Sequence, residues 1–308
     1  MQNKQTTGSY FFHTSTPYLM LIPGVVGIMF VNIIPSLQAI LMGFYSDSFT
    51  KRSEFVGFEK FERVLKLQEF WQVLGNTFFW SLATLFFATV LGVFAAILTN
   101  RPYIGKGFFR IVFLIPWITP PVVASMVWKT MFNETLSPIN DVLIMTNIID
   151  SSIPFLINPS WRIGPLSIPM FSLLLVNVWN VFPFMMIMIL AAMQSIDVSY
   201  YEAASIDGAG KITQFFKITL PLIMPVLSIS LLLQGIWQFN SFNFNYLVAY
   251  GGPLNTTKTM AVMIYQKAFA EFDYGQAGAI SAVMLGCVLI PAVFYIRHHV
   301  NRLENVRK

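Results

Sequence analysis

Residues 166–193 read LSIPMFSLLLVNVWNVFPFMMIMILAAM, without one Asp, Glu, Lys or Arg. A bilayer core of about 30 Å needs roughly 20 predominantly apolar residues in a helix, and this run is long enough. In lipid every backbone N–H and C=O needs a partner inside the protein, which makes helix the default. No strand-like alternation is visible. Working outward, residues 18–45, 74–99, 111–132, 218–246 and 275–296 have the same character. Only 111–132 contains a charge, Lys129, near its end. The sequence therefore predicts an all-α polytopic membrane protein: six transmembrane helices in one membrane domain spanning 1–308.

Composition agrees. The chain is 56% hydrophobic and 11% charged, against about 25% charged in soluble domains. A soluble chain of this length lacks the interior volume to bury so much apolar surface. The net charge of +5 comes from basic residues scattered beside apolar runs. That distribution fits lipid headgroups and the positive-inside bias, not nucleic acid. The single cysteine, Cys287, lies in an apolar run and allows no disulfide within the chain. Lys4 is the only basic residue before the first run, which far exceeds a signal-peptide core and has no Ala-x-Ala site after it. Residues 18–45 are expected to remain as an anchor.

Six spans put both termini on one side. With that side cytoplasmic, the inner segments hold Arg101, Lys106, Arg110, Lys211, Lys217 and the basic C-terminal residues. The outer segments hold nearly as many, but five of those lie between Lys51 and Lys66, where they interleave with Glu54, Glu59 and Glu62, and Glu69 follows. The stretch from Phe55 to Trp71 reads as an amphipathic helix on the outer surface. Setting it aside, the bias favours cytoplasmic termini. Residues 133–165, rich in Pro, Asn and Ser, read as an external cap.

The most informative loop follows the opening stretch and covers 195–217. Ser199 with Glu202 forms a capping-box pattern, a helix start signal. Ala203 and Ala204 favour helix, and Gly208 and Gly210 break it. Pro221 suits the first turn of the next helix. The loop thus reads as a short helix outside the membrane, a turn and a re-entering helix. Small residues on such a helix admit close approach by another protein. An ordinary loop helix with Glu202 as its cap fits the same residues equally well.

Glu202-Ala203-Ala204, three residues, Gly208, nine residues, then Ile218-Thr-Leu220-Pro221 resembles the Glu-Ala-Ala loop of binding-protein-dependent ABC importer permeases, with no departure from that pattern. The resemblance implies that Tyr201 through Ala209 form a coupling helix seated in a cleft of an ATPase subunit. Glu202 and Asp207 would supply polar contacts and Gly208 the turn, with Ile218, Leu220 and Pro221 at the re-entry. It implies two ATP-binding cassette ATPases, a second homologous permease subunit and an extracytoplasmic solute-binding protein as partners. ATP and Mg²⁺ would be bound by the ATPases, with no cofactor in this chain, and the place would be the bacterial cytoplasmic (inner) membrane. Phe58-Glu-Lys-Phe, Glu69-Phe-Trp, Gly75-Asn-Thr, Trp237-Gln-Phe-Asn-Ser-Phe, Gly251-Gly-Pro with Thr256-Thr257, Ala268-Phe and Tyr274-Gly-Gln-Ala-Gly-Ala stand in order along the chain and are similar to the carbohydrate, maltose-type branch.

Polar side chains in apolar spans are costly unless paired or facing water. Asn177, Trp179 and Asn180 in the fourth span, and Gln234, Trp237, Gln238, Asn240 and Ser241 in the fifth, are candidates for a solute path. Amides both donate to and accept from hydroxyls, and aromatic faces cover sugar rings, so the set suits a neutral sugar or oligosaccharide better than an acidic one. Hydrogen bonding between helices is the competing use for each amide. Pro116, Pro120 and Pro121 predict a kink in the third span, as a static bend or a moving gate.

Gly210-Lys211 lacks the following Ser or Thr and the earlier Gly of a phosphate-binding loop. No nucleophile–base pair, paired carboxylate or metal set stands out, so the chain reads as a non-catalytic subunit. An ion-gradient-driven secondary transporter is the alternative. It would more usually show intramembrane carboxylates and inverted repeats. An enzyme or assembly scaffold is the third class.

Overall fold

A computed structural model describes residues 19–46, 54–160, 162–163 and 166–306. Lys51 and Arg52, used above for the charge pattern, lie outside the described residues, as do Tyr18 and Pro165.

The described residues are mainly helical, with strand pairing confined to a hairpin of Arg162–Ile163 with Leu166–Ser167 and an antiparallel bridge between Tyr45 and Phe55. Among the described residues five helices are long and apolar enough to cross a membrane: Leu19–Met42, Gln68–Asn100, Ile168–Gln194, Lys211–Leu247 and Tyr274–Arg297. The helices Lys106–Ile118 and Pro121–Met131 are long and apolar enough only as a pair, and they meet at 91°, the geometry of a broken span or a re-entrant loop. The third stretch is therefore no straight span, and its bend exceeds a simple proline kink. Pro120 and Pro121 bring no N–H to the turn, and the Pro116 ring crowds the turn before it.

The second and fourth spans form the centre of the fold and pack against each other most extensively. They approach closely at Gly92, where an added Cβ would stand 2.7 Å from Met185 Cβ and 3.0 Å from the Met186 nitrogen. Ala88, Gly92 and Ala96 are spaced four apart and buried, so one face of the second span is nearly smooth. Small residues at this spacing let membrane helices approach within van der Waals contact. The fourth span supplies the large side chains opposite, among them Met185, Met186 and Ile189, and the fifth adds Ile223 and Leu227.

The other elements attach at the rim. The first span has no buried residue between Leu19 and Met42. It touches the sixth span at its end, where Gly43 comes so close to Gly278 and Ala279 that a Cβ on Gly43 would meet the Ala279 nitrogen at 2.8 Å. The amphipathic stretch is shorter than the sequence predicts. Only Glu59–Lys66 is helical, Leu67 is extended, and Gln68 already opens the second span. Its buried Lys60 lies 3.6 Å from Asp273, which caps the sixth span through the Gln276 N–H. Residues 133–165 contain one short helix, Pro138–Met145, capped by Ser137.

Two spans contain the same local device. A five-residue π turn covers Met29–Ile33 and another Phe215–Thr219, and each ends two residues before a proline, Pro35 or Pro221. A proline within a helix removes one hydrogen bond and crowds the carbonyl four residues earlier. A wider turn at that point relieves both. Pro221 consequently sits inside a continuous helix starting at Lys211, not in the first turn of a new one, which corrects the expectation from sequence.

Candidate functional site

The loop between the fourth and fifth spans folds as the helix Val198–Ile206, a turn, and the re-entering helix. Its cap differs from the sequence reading. Asp197 Oδ1 accepts from the Ser199 N–H at 2.9 Å, so the helix starts at Val198, and the Ser199–Glu202 capping box is not formed. That hydrogen bond lowers the Asp197 carboxyl below the ordinary aspartate value. Glu202 is exposed and leaves its carboxylate free of any bond to the described residues of the chain. The turn depends on Gly208, whose φ of +79° lies in the left-handed region that side chains disfavour. The N–H of Ala209 closes it by donating to the Ala204 carbonyl at 2.8 Å.

No residue of Val198–Ile206 is buried, and Val198, Tyr200 and Ile206 are all exposed apolar side chains. Glu202, Ala203, Asp207 and Gly208 are exposed too, with Tyr201, Ala204 and Ala209 half-buried. A helix that buries nothing has little stability of its own, but this one is fastened at its base. The Tyr201 hydroxyl lies 2.9 Å from Thr219 Oγ1. Gln214 Nε2 donates to Ser205 Oγ at 2.9 Å and to the Ala209 carbonyl at 3.0 Å. These bonds tie the loop helix to the π turn that opens the fifth span, beside half-buried Ile218, Leu220 and Pro221's exposed ring. Gln214 and Thr219 were not picked out from sequence, since only the fold shows that they face the loop helix.

The structure divides the candidate path residues into separate groups. Asn177, Gln234 and Gln238 are buried and joined: Asn177 Nδ2 donates to Gln238 Oε1 at 2.7 Å and to Thr84 Oγ1 at 2.9 Å, and Gln238 Nε2 donates to Gln234 Oε1 at 3.3 Å. This chain links the second, fourth and fifth spans. Asn180 instead donates to the Pro116 carbonyl at 2.7 Å. In a continuous helix that carbonyl would accept from residue 120, but Pro120 has no N–H. Asn180 thus satisfies an acceptor orphaned by the break.

Beside Asn180 stands an aromatic row, Trp117–Phe184–Trp237, with ring centroids 6.0 and 5.6 Å apart. Trp117 and Trp237 are 45% and 54% exposed, so the row presents open ring surface. Trp179 belongs elsewhere, 5.6 Å from Trp128. Asn240 is exposed and Ser241 half-buried at a break in the fifth span, where Ser241 Oγ donates to Asn245 Oδ1 at 3.2 Å. Thr84, Trp117 and Phe184 escaped the sequence reading. Their spacing within their own spans carries no signal of which neighbour they face. Among the described residues no group of three His, Cys, Asp or Glu side chains is placed to hold a metal.

Comparison with known proteins bears on this geometry. The chain is 31% identical over 281 residues to the sulfoquinovosyl glycerol transport system permease protein SmoG of Agrobacterium fabrum, covering 91% of this chain and 88% of that one. It is 30% identical over 298 residues to the trehalose/maltose transport system permease protein MalF of Thermococcus litoralis, covering 96% and 98%. Its fold matches a subunit of a bacterial ABC transporter involved in the import of the acidic polysaccharide alginate, with a TM-score of 0.76, 23% identity and coverage of 95% and 99%. Residues 88–304, which include the whole loop and four of the spans, match the binding-protein-dependent transport system inner membrane component, and the chain belongs to that family.

Proposed function

We propose that this chain is the membrane-spanning translocation subunit of an ATP-driven importer for a sugar or oligosaccharide. The observation that carries the proposal is the loop helix Val198–Ile206, which buries no residue yet is bonded through Tyr201 and Ser205 to Thr219 and Gln214 at the start of the fifth span. A helix so arranged is a handle: a partner gripping Glu202, Asp207 and the apolar side chains beside them would move the fifth span directly. In this reading the partner is one of two ATP-binding cassette ATPases, which bind the ATP and Mg²⁺. Alternating access follows as their closure pulls on the loop. The rest of the assembly is a second permease subunit and an extracytoplasmic solute-binding protein. Both termini are cytoplasmic, and the chain forms one membrane domain.

A sugar is favoured by the substrates for which two relatives at 30% identity or more are named, sulfoquinovosyl glycerol and trehalose/maltose. The Trp117–Phe184–Trp237 row with Asn180 beside it offers ring faces and an amide at a break in the bundle. In this reading Trp237 and Asn240, with Asn180 beside the row, are the members of the sequence set that would meet solute. Asn177, Gln234 and Gln238 would reach it only if their hydrogen bonds to one another open.

The test is uptake and ATPase activity of the assembled transporter in proteoliposomes, stimulated by loaded binding protein. Glu202→Arg and Gly208→Pro should each reduce coupled uptake by roughly tenfold or more, equivalent to about 1.4 kcal/mol of lost coupling, while the chain still inserts. Wild-type uptake and ATPase rates in both variants would refute the handle.

A further inference from the structure

We infer that the chain carries a site for an anionic phospholipid at the foot of the loop, with Arg101 and Lys211 holding the headgroup. An open groove of about 740 Å³ separates the end of the second span from the start of the fifth. Its lining has two characters. Arg101, Lys211 and Asn100 supply charge and polarity, and Ile97, Met193 and Phe216 supply apolar surface. Arg101 and Lys211 are exposed, and neither forms an ion pair with a described carboxylate.

The position is that of a headgroup. Asn100 is the last residue of a long apolar helix, and Arg101 follows immediately, so the groove opens where hydrocarbon gives way to the polar interface. Basic pockets between membrane helices at this level take acidic lipid headgroups. A phosphate on Arg101 and Lys211 would leave an acyl chain to lie against Ile97 and Phe216. A soluble anion would use only the basic half, and a zwitterionic lipid would bring its own cation beside Arg101 and Lys211. The far wall is the loop itself, since Tyr201 lines the groove and bonds Thr219. A lipid seated here stands behind the loop helix and braces it against the second span.

The experiment is native mass spectrometry of the full-length chain released from detergent after titration with phosphatidylglycerol, a readout independent of ATP-driven transport. The wild type should retain one phosphatidylglycerol in preference to phosphatidylcholine. The double variant R101Q/K211Q should retain it roughly tenfold less well, the effect of removing two interfacial cations. R101K/K211R should retain it, which separates charge from misfolding. K106Q, on a neighbouring exposed cation outside the groove, should also retain it. Equal retention by wild type and R101Q/K211Q overturns the site, and so does equal loss in K106Q, which would reduce the effect to surface charge. Displacement by inorganic phosphate as readily as by lipid overturns the lipid assignment. Loss of the bound lipid on assembly with the partner subunits shows that protein covers the groove and overturns it too.

Discussion

Asn180 supplies a donor that the backbone of the third span cannot. Its amide reaches the Pro116 carbonyl just before the break, so one side chain of the fourth span pins the end of the third span's first arm. Asn180→Leu leaves that carbonyl without a partner at about 1–3 kcal/mol, which should appear as a lower melting temperature of the purified chain. Asn180→Gln keeps a donor and should lose less. An unchanged melting temperature in Asn180→Leu would mean that water replaces the amide at no cost. Asp197 offers a second test. Its carboxyl is held below the ordinary value by the Ser199 N–H, so its contribution is present above about pH 4 and lost as the pH falls through the depressed value. Asp197→Ala should speed amide exchange at Ser199 several-fold at neutral pH, and the difference from wild type should vanish in acid. The sequence contained both candidate caps, Asp197 and Ser199, within two residues. Only the backbone direction at Val198 decides between them, and that is why the capping-box reading failed.

At the scale of elements, the spans were legible because charge-free runs of this length have few other uses, and the loop because its motif is contiguous. What faces what was not legible. The chain Thr84–Asn177–Gln238–Gln234 joins residues far apart in sequence, and only packing sets that register. Its three amides, Asn177, Gln234 and Gln238, were singled out for solute, yet here they satisfy one another and Thr84, the use in which membrane amides contribute about 0.6–2 kcal/mol. The Ala88–Gly92–Ala96 ladder, which the sequence reading did not single out, marks the contact at the centre of the bundle. Gly92→Val would push two methyl groups into Met185 and the Met186 backbone. Overpacking of this kind costs about 1–3 kcal/mol where neighbours can shift, and here the neighbour is partly backbone. The variant should express poorly and melt several degrees lower, whereas Gly75→Val, at a position with open space, should behave as wild type. Equal stability of the two would remove the close approach from the account of the fold.

At the scale of the whole molecule, burial is lopsided. The fourth span is enclosed over most of its length, the first span not at all, and the fifth and sixth for the smaller part. The aromatic row of Trp117, Phe184 and Trp237 takes one ring each from the broken third, the fourth and the fifth spans, with two of its rings open. A bundle built for lipid alone has no need to gather an exposed row of rings at its one sharp break. A subunit that shares a solute path with a partner does, because the path must be open to solute on one side and closed against lipid on the other. Trp237→Cys in a Cys287→Ser background tests this, with maleimide labelling as the readout. The new thiol should react readily in the isolated chain and several-fold more slowly in the assembled transporter at rest. Under turnover with loaded binding protein and ATP its rate should rise again, and added sugar should protect it. A rate unaffected by assembly, nucleotide and sugar would place Trp237 against lipid and move the path to another face of the molecule.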